Sequence, residues 1–125
     1  MVENNPKTSL HTRVDFKSLR ENGQRIQPCS WLVVFWLPGH PKKGRILWNL
    51  SRKVANSVVR NRLKRRVREF IRVQLKDVVL DFGLDLNVVF RPNHKDFYKD
   101  LRRADIDKEL YRIEKKIRDR LRKGS

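Results

Sequence analysis

The sequence has few of the residues that form disulfides, metal sites or membrane spans. Cys29 is the only cysteine among 125 residues, which excludes an internal disulfide and the paired cysteines of a zinc knuckle or ribbon. The sequence contains no apolar run long enough to span a membrane, and its polar N-terminus, MVENNPKTSL, carries no signal-peptide or lipidation motif. We therefore expect an intracellular protein that works in the cytoplasm.

Acidic residues are scarce as well. The chain has 14 Asp and Glu against 31 Lys and Arg, and its formal net charge is +17. Such a charge opposes compaction unless a polyanion neutralises it. Nucleic acid is the usual polyanion, because each phosphate contact releases counterions. Two alternatives are a charge that serves solubility alone and a membrane surface, for which the sequence offers no anchor. The charge therefore predicts binding to nucleic acid.

Residues that could form a protein active site are not grouped along the chain. His11, His40 and His94 lie in separate loops or ends, and there is no P-loop. Asp81 and Asp85 flank an apolar stretch near the start of a strand, where two-metal nuclease chemistry would require acids. We interpret them as turn and capping residues, with contact to a metal as the open alternative. The sequence thus predicts no catalytic residue and no metal site within the protein itself.

The apolar periodicity predicts a mixed helix and strand fold. We expect helices over 12–22, 55–76 and 105–123, and strands over 31–37, 45–50 and 86–90. The first two strands are expected to form an antiparallel hairpin with a long loop. The fold class is α/β (an α+β sandwich) in the order α-β-β(-β)-α-β-α. Helices should cover one face of the sheet and leave the other as an open floor.

The domain organisation follows from the same pattern. Residues 1–11 are polar and predict a flexible N-terminal segment, and residues 12–123 predict one RNA-binding domain. The second helix dominates this domain, because the stretch from Ser51 to Lys76 holds ten Lys or Arg and a single acid, Glu69. Exposed helices usually mix charges of both signs at i, i+4 spacing. Its polar face therefore predicts contact with phosphates, for which arginine offers forked donors.

The stretch from Ser51 to Glu69 resembles the signature of the protein subunit of bacterial ribonuclease P. It reads Ser51-Arg52-Lys53, then Ala55-Asn56-Ser57-Val58, then Arg60-Asn61-Arg62-Leu63-Lys64-Arg65, and then Arg68-Glu69. The order and spacing of these identities are unbroken, and the likeness continues from Asp15-Phe16 in the first helix to the last amphipathic helix. The chain departs from the family pattern at Leu47 and Ala55, where glycine is usual, at Arg52, where lysine is usual, and at Arg20, where a second aromatic residue is expected.

The resemblance implies a fold and a reaction. The fold would be an α/β sandwich with a left-handed β-α-β crossover through the basic helix, a rare exception to the right-handed rule. The protein would be the non-catalytic subunit of ribonuclease P, which removes the 5′ leader from precursor tRNA by endonucleolytic hydrolysis. Catalysis would come from the RNA subunit with bound Mg²⁺. The implied partners are ribonuclease P RNA and precursor tRNA, with no membrane and no required protein oligomer.

The resemblance also assigns two sets of residues. The set expected to bind the RNA subunit is Arg52, Lys53, Arg60, Asn61, Arg62, Lys64, Arg65 and Arg68. The set expected to line a cleft for the leader is Phe16, Phe35, Asn49, Lys53 and Arg91. Core packing is the alternative for Phe16 and Phe35, and a register shift of one residue would put Val34 or Trp36 in the place of Phe35. The sequence does not decide which of Trp31, Trp36 and Trp48 face this cleft.

Three other functions fit parts of the sequence. A ribosomal protein or assembly factor would share the composition and the basic helix. A self-sufficient nuclease would need the active site that the sequence does not supply. A DNA-binding module would use the basic helix in a major groove, but a strand precedes this helix where a helix-turn-helix would need another helix.

Overall fold

A mixed four-stranded sheet forms the middle of the protein, with strand order β1-β2-β4-β3. The computed structural model describes residues 13–38, 44–81 and 83–124. The strands are β1 (Gln24–Ile26), β2 (Leu32–Pro38), β3 (Arg45–Asn49) and β4 (Leu84–Phe90), and the helices are α1 (Arg13–Asn22), α2 (Ser57–Gln74), α3 (Phe97–Asp100) and α4 (Arg103–Gly124), with a π-helical turn at Asp77–Asp81. The predicted fold class and order of main elements are confirmed, and the segment 1–11 lies outside the described residues.

The predicted hairpin between the second and third strands is wrong. β4 lies between them, pairing antiparallel with β2 and parallel with β3. The physical reason is burial. Six of the seven residues of β4 are buried, so this strand belongs in the centre of the sheet, whereas β3 is mostly half-exposed and suits an edge. The β3–α2–β4 connection is therefore a crossover between parallel neighbours, with α2 as its helix.

The main core lies on one face of the sheet, under α2 and α4. Alternate residues of β2, Leu32, Val34 and Trp36, point into it, because successive strand residues face opposite sides. The apolar stripes of α2 and α4 cover these residues, as the periodicity predicts. Trp31 also packs in this core, against the rings of Phe90, Phe97 and Tyr98, and Trp48 packs at its border.

Helix α1 contacts β1, β2 and β4, and we place it on the opposite face of the sheet. Leu19 of α1 is buried and stands apart from the main core, as do Val33 and Leu47 of the strands. Gly23 ends the helix by donating its N–H to the Leu19 carbonyl at 2.9 Å. A Cβ at Gly23 would come within 2.4 Å of that carbonyl oxygen and 2.8 Å of the Trp36 oxygen, so only glycine fits this close approach. The predicted open floor is thus partly covered by α1.

Candidate nucleic-acid interface

Asn56 fixes where the basic helix α2 begins. Its side-chain oxygen accepts a hydrogen bond from the Val59 N–H at 3.0 Å, and its backbone carbonyl accepts one from the Arg60 N–H at 2.9 Å. This is the N-cap geometry that asparagine favours. The first asparagine of the signature therefore has a structural role, which is to set the rotation of the helix that follows.

The outward face of α2 is rich in cations, and Glu69 is the only acid on this helix. The side chains of Asn61, Arg65 and Arg68 are exposed, and those of Arg52 and Lys53 are exposed in the turn before the helix. The Arg68 guanidinium lies 5.4 Å from the centre of the Trp48 ring, a cation–π contact that steadies it. These five exposed residues all belong to the eight predicted to bind an RNA subunit, and Lys64 of the same set is half-buried.

The electrostatic state of Lys64 reports on this surface. Burial, together with the neighbouring charges of Arg68 and Arg60, lowers the pKa of Lys64 below its ordinary value. A lowered lysine pKa means that adding one more positive charge at this place is unfavourable. An anion that approached the surface would offset the part of this penalty that comes from Arg68 and Arg60, which favours the binding of phosphates.

Arg60 and Arg62 are placed differently from the others. Arg62 Nη2 donates to the backbone carbonyls of Tyr98 and Lys99, the latter at 3.3 Å, and so joins α2 to the stretch before α4. Arg60 is half-buried, and its Nε makes no hydrogen bond. Sequence reasoning assigned both to an RNA contact and did not foresee that Arg62 has partners within the protein.

Arg66 is a second tie that sequence reasoning missed. Its guanidinium forms a two-pronged ion pair with Asp107 of α4, at 2.7 Å and 3.0 Å, and the Arg66 side chain is only 15% exposed. A forked arginine–carboxylate pair fixes orientation as well as distance. The only signal in the sequence was the position of Arg66 next to the apolar stripe, which does not identify its partner.

The opposite face of the sheet brings together three of the residues predicted for a leader cleft. Phe35 is half-buried on this face, whereas Val34 and Trp36 point to the other face and lie in the core. Asn49 at the end of β3 and Arg91 just after β4 are exposed. Lys53 is exposed in the turn after β3, and the side chain of Phe16 lies outside the described residues.

Asn87 is a polar residue of this face that the sequence analysis did not single out. It stands on β4 between Phe35 of β2 and Leu47 of β3. It is 1% exposed, and neither its amide nitrogen nor its oxygen has a hydrogen-bond partner. Such an unpaired buried amide is unfavourable and uncommon. The available signal was an asparagine within the otherwise apolar run LNVVF.

The two aspartates considered for a metal have separate environments. Asp85 lies within β4 and accepts two hydrogen bonds from Arg45, at 3.2 Å and 2.9 Å, so its interpretation as a turn residue is wrong. Asp81 ends the π-helical turn, and its side chain lies outside the described residues. Within the described ranges, no group of three or more His, Cys, Asp or Glu side chains could hold a metal ion. His94 is exposed beside the Phe97 ring, and His11 and His40 lie outside these ranges.

Among the described residues, no helix combines the length and apolar character that a membrane span requires.

The fold and the exposed cationic face of α2 define a basic α/β protein of the RNA-binding class. The family model described as Ribonuclease P matches residues 5–118, and the chain belongs to this family. Ribonuclease P is an endoribonuclease of tRNA processing, and this family supplies its protein component, which implies ribonuclease P RNA as the partner.

Several relatives carry the name ribonuclease P protein component, and two of them show the extent of the likeness. The one from Natranaerobius thermophilus is 31% identical over 108 residues, which cover 86% of this chain and 88% of the relative. The one from Desulfatibacillum aliphaticivorans is 38% identical over 80 residues, and this match spans 64% of this chain and 65% of the relative. The solved ribonuclease P protein from Thermotoga maritima has a TM-score of 0.67 at 23% identity, over 85% of this chain and 96% of that one, and it shares the fold.

Proposed function

We propose that this chain is the protein subunit of ribonuclease P and that it binds both the catalytic RNA subunit and the 5′ leader of precursor tRNA. The observation that carries the proposal is the face of α2, whose exposed cations stand on a helix that Arg62 and Arg66 fix to the rest of the protein. A rigid array of arginines on a convex surface suits a large folded RNA, because it need not be ordered on binding.

The two RNAs would use opposite sides of the molecule. The RNA subunit would contact Arg52, Lys53, Arg60, Asn61, Arg62, Lys64, Arg65 and Arg68. The leader would lie on the other sheet face, against Phe16, Phe35, Asn49, Lys53 and Arg91. Lys53 belongs to both sets because it lies in the turn that joins β3 to α2. A half-buried aromatic ring offers a surface on which an unpaired base can stack.

The reaction chemistry would belong to the RNA partner. Mg²⁺ would be held mainly by the RNA subunit, since the described protein residues supply no group of metal ligands. The protein would hold the substrate leader and screen the repulsion between two RNAs with its positive charge. It would do so in the cytoplasm and without forming a protein oligomer.

Reconstitution tests this proposal directly. The purified protein alone should leave precursor tRNA intact. Addition of a bacterial ribonuclease P RNA and Mg²⁺ should give cleavage at the mature 5′ end, and the protein should raise its rate at low Mg²⁺ concentration. Cleavage at that position without the RNA subunit, or no effect of the protein on the RNA-catalysed rate, would refute the proposal.

The leader face has its own test in Phe35→Leu. Leucine keeps an apolar side chain but removes the flat ring, so binding of precursor tRNA with a leader should weaken by about tenfold, the scale of one stacked base. Mature tRNA should bind as before. Leu37→Ala, on the same face and strand, is the control for altered packing. Equal losses for tRNA with and without a leader would assign Phe35 to the core instead.

A further inference from the structure

A cleft of about 420 Å³ lies between the outer side of α2 and the chain that leads into α4. Six of its lining residues are cations and two, Glu69 and Asp100, are acids. The cations are Arg62, Arg65, Arg66, Lys99, Arg102 and Arg103. This volume lies within the range of sites for small molecules, roughly 300–1,000 Å³. Three of the six cations, Lys99, Arg102 and Arg103, lie outside the basic signature.

Two of the arginines that line this cleft are held in place by partners within the protein, whereas other cations of the lining are not. The guanidinium of Arg62 is held by backbone carbonyls before α4, and that of Arg66 is held by Asp107. In contrast, Arg65 and Lys99 are exposed and make no ion pair within the described ranges. The side chain of Arg103 is 71% exposed, and its Nε lies 4.0 Å from Asp107 Oδ2, which is the longest distance that counts as an ion pair. The cleft therefore combines rigid walls with cations that can turn towards a ligand.

The chemistry of the lining indicates the class of ligand. Arginine favours phosphate because its forked donors match two oxygens. Leu101 is half-buried and lines the cleft above Ile106 of the core, so the cleft also has an apolar side. The fixed guanidinium planes of Arg62 and Arg66 add flat surfaces on which a base can stack. A phosphate alone would not use the apolar side, whereas a nucleotide uses both parts.

We propose that this cleft binds a single nucleotide, with its phosphate between Arg65, Lys99 and Arg103 and its base against Leu101. Two sources supply this chemistry: an unpaired nucleotide of the RNA subunit, or a free nucleotide. The first source rests on the function proposed above, because Arg65 also belongs to the surface assigned to that RNA. The binding of a nucleotide to the isolated protein does not rest on it.

Titration of the full-length protein with AMP, adenosine and inorganic phosphate tests the site. AMP should bind about tenfold more tightly than either fragment, because the base and the phosphate each contribute. The backbone amide NMR signals of Leu101 and Ile106 should shift with AMP and not with phosphate. AMP that binds no better than phosphate, or shifts spread evenly along α2, would overturn the proposal.

Two double variants with equal charge loss identify the residues. Lys99→Gln with Arg103→Gln should weaken AMP binding by about tenfold, the scale expected for the loss of a charged contact. Lys115→Gln with Lys116→Gln, which removes two exposed cations from α4 outside the cleft, should leave it within about twofold. Equal losses in the two variants would mean that only net charge matters. The wild-type NMR shifts decide the question if the first variant does not fold.

Assembly with the RNA subunit separates the two sources. If the RNA supplies the nucleotide, saturating AMP should weaken assembly of the wild type and not of the Lys99→Gln, Arg103→Gln variant. If a free nucleotide is the ligand, AMP should bind the assembled complex without displacing RNA. The rate enhancement of the RNA subunit by wild-type protein, measured without AMP, tests the proposed function separately. Normal enhancement without an AMP site would refute the cleft alone.

Discussion

Helices α2 and α4 have the same apolar periodicity and pack against each other, but they differ in how far acids on the same helix neutralise their cations. α2 carries seven Lys or Arg and one acid in 18 residues, and α4 carries nine and five in 22. All five acids of α4 form ion pairs with arginines, most of them three or four positions away. The positive surface of α4 is therefore largely balanced from within, and that of α2 is not.

The difference shows how to distinguish a functional basic helix from a structural one. Ion pairs at i, i+3 or i, i+4 stabilise an exposed helix a little and offset its charge. On α2 the single acid, Glu69, forms one such pair, with Arg66, and the other cations of the helix have no acid of α2 beside them. Burial, together with the charges of Arg68 and Arg60, lowers the pKa of Lys64 among them. Such an arrangement becomes favourable only when an external polyanion is bound. Asp107 is the exception among the acids of α4, since it reaches across to Arg66 and orients α2 itself.

The strongest test of this contrast removes two cations from each helix. Arg65→Ala with Arg68→Ala should weaken assembly with the RNA subunit by at least about 100-fold, because each charged hydrogen bond contributes roughly 1.5–3 kcal/mol. The slope of log affinity against log salt should also flatten by about 1.4–1.8 units, since each phosphate contact contributes about 0.7–0.9. Filter binding over a range of salt concentrations measures both quantities.

The matched control is Lys115→Ala with Lys116→Ala on α4. It removes the same charge from exposed positions and should alter affinity by less than about tenfold, through long-range attraction alone. Similar losses in the two variants would show that the protein attracts RNA by total charge. A leader-dependent loss in the α2 variant would show that the two RNA surfaces are assigned the wrong way round.

The link between the helices is the next target. Asp107→Asn keeps the shape of the side chain but removes its charge, and should lower the free energy of unfolding by about 1–3 kcal/mol, because both side chains of the pair are mostly buried. Asp119→Asn, which breaks an exposed pair with Arg122 on the same helix, should cost less than about 1 kcal/mol. Urea denaturation measures both. Equal effects would mean that the Arg66–Asp107 pair is an ordinary surface pair.

Much of the fold could be predicted because it depends on local pattern. The stripe from Val59 to Ile71 and the β-branched run of β2 report burial along one element, and the structure has both elements there. Strand pairing could not be read in the same way. β4 pairs with strands that precede it by about 50 and 40 positions, and the sequence LNVVF contains no signal that predicts which strands it pairs with. The prediction of a hairpin between β2 and β3 was wrong because it assumed that strands adjacent in sequence pair with each other.

The same distinction applies to the site. The exposed arginines Arg65 and Arg68 could be placed by helical spacing alone. Arg62 and Arg66 could not, because their partners are carbonyls and a carboxylate about 40 positions away. All three tryptophans pack in or against the main core rather than on the leader face, a placement that depends on which sheet face the helices cover.

The smallest expected effect concerns the titration of Lys64. Its pKa is lowered in the free protein, and RNA phosphates should raise it, so assembly takes up protons at pH values between the two pKa values. Affinity should therefore fall as the pH rises through this window, by at most about tenfold for each unit of difference between the two pKa values. Lys64→Arg stays charged throughout and should lose this part of the pH dependence, whereas Lys116→Arg on α4 should keep it. Assembly measured between about pH 7 and pH 10 compares the three proteins below the ordinary lysine pKa. If Lys64→Arg and the wild type respond to pH alike, RNA does not relieve the charge on α2 at Lys64, and the contrast between the helices does not extend to this side chain.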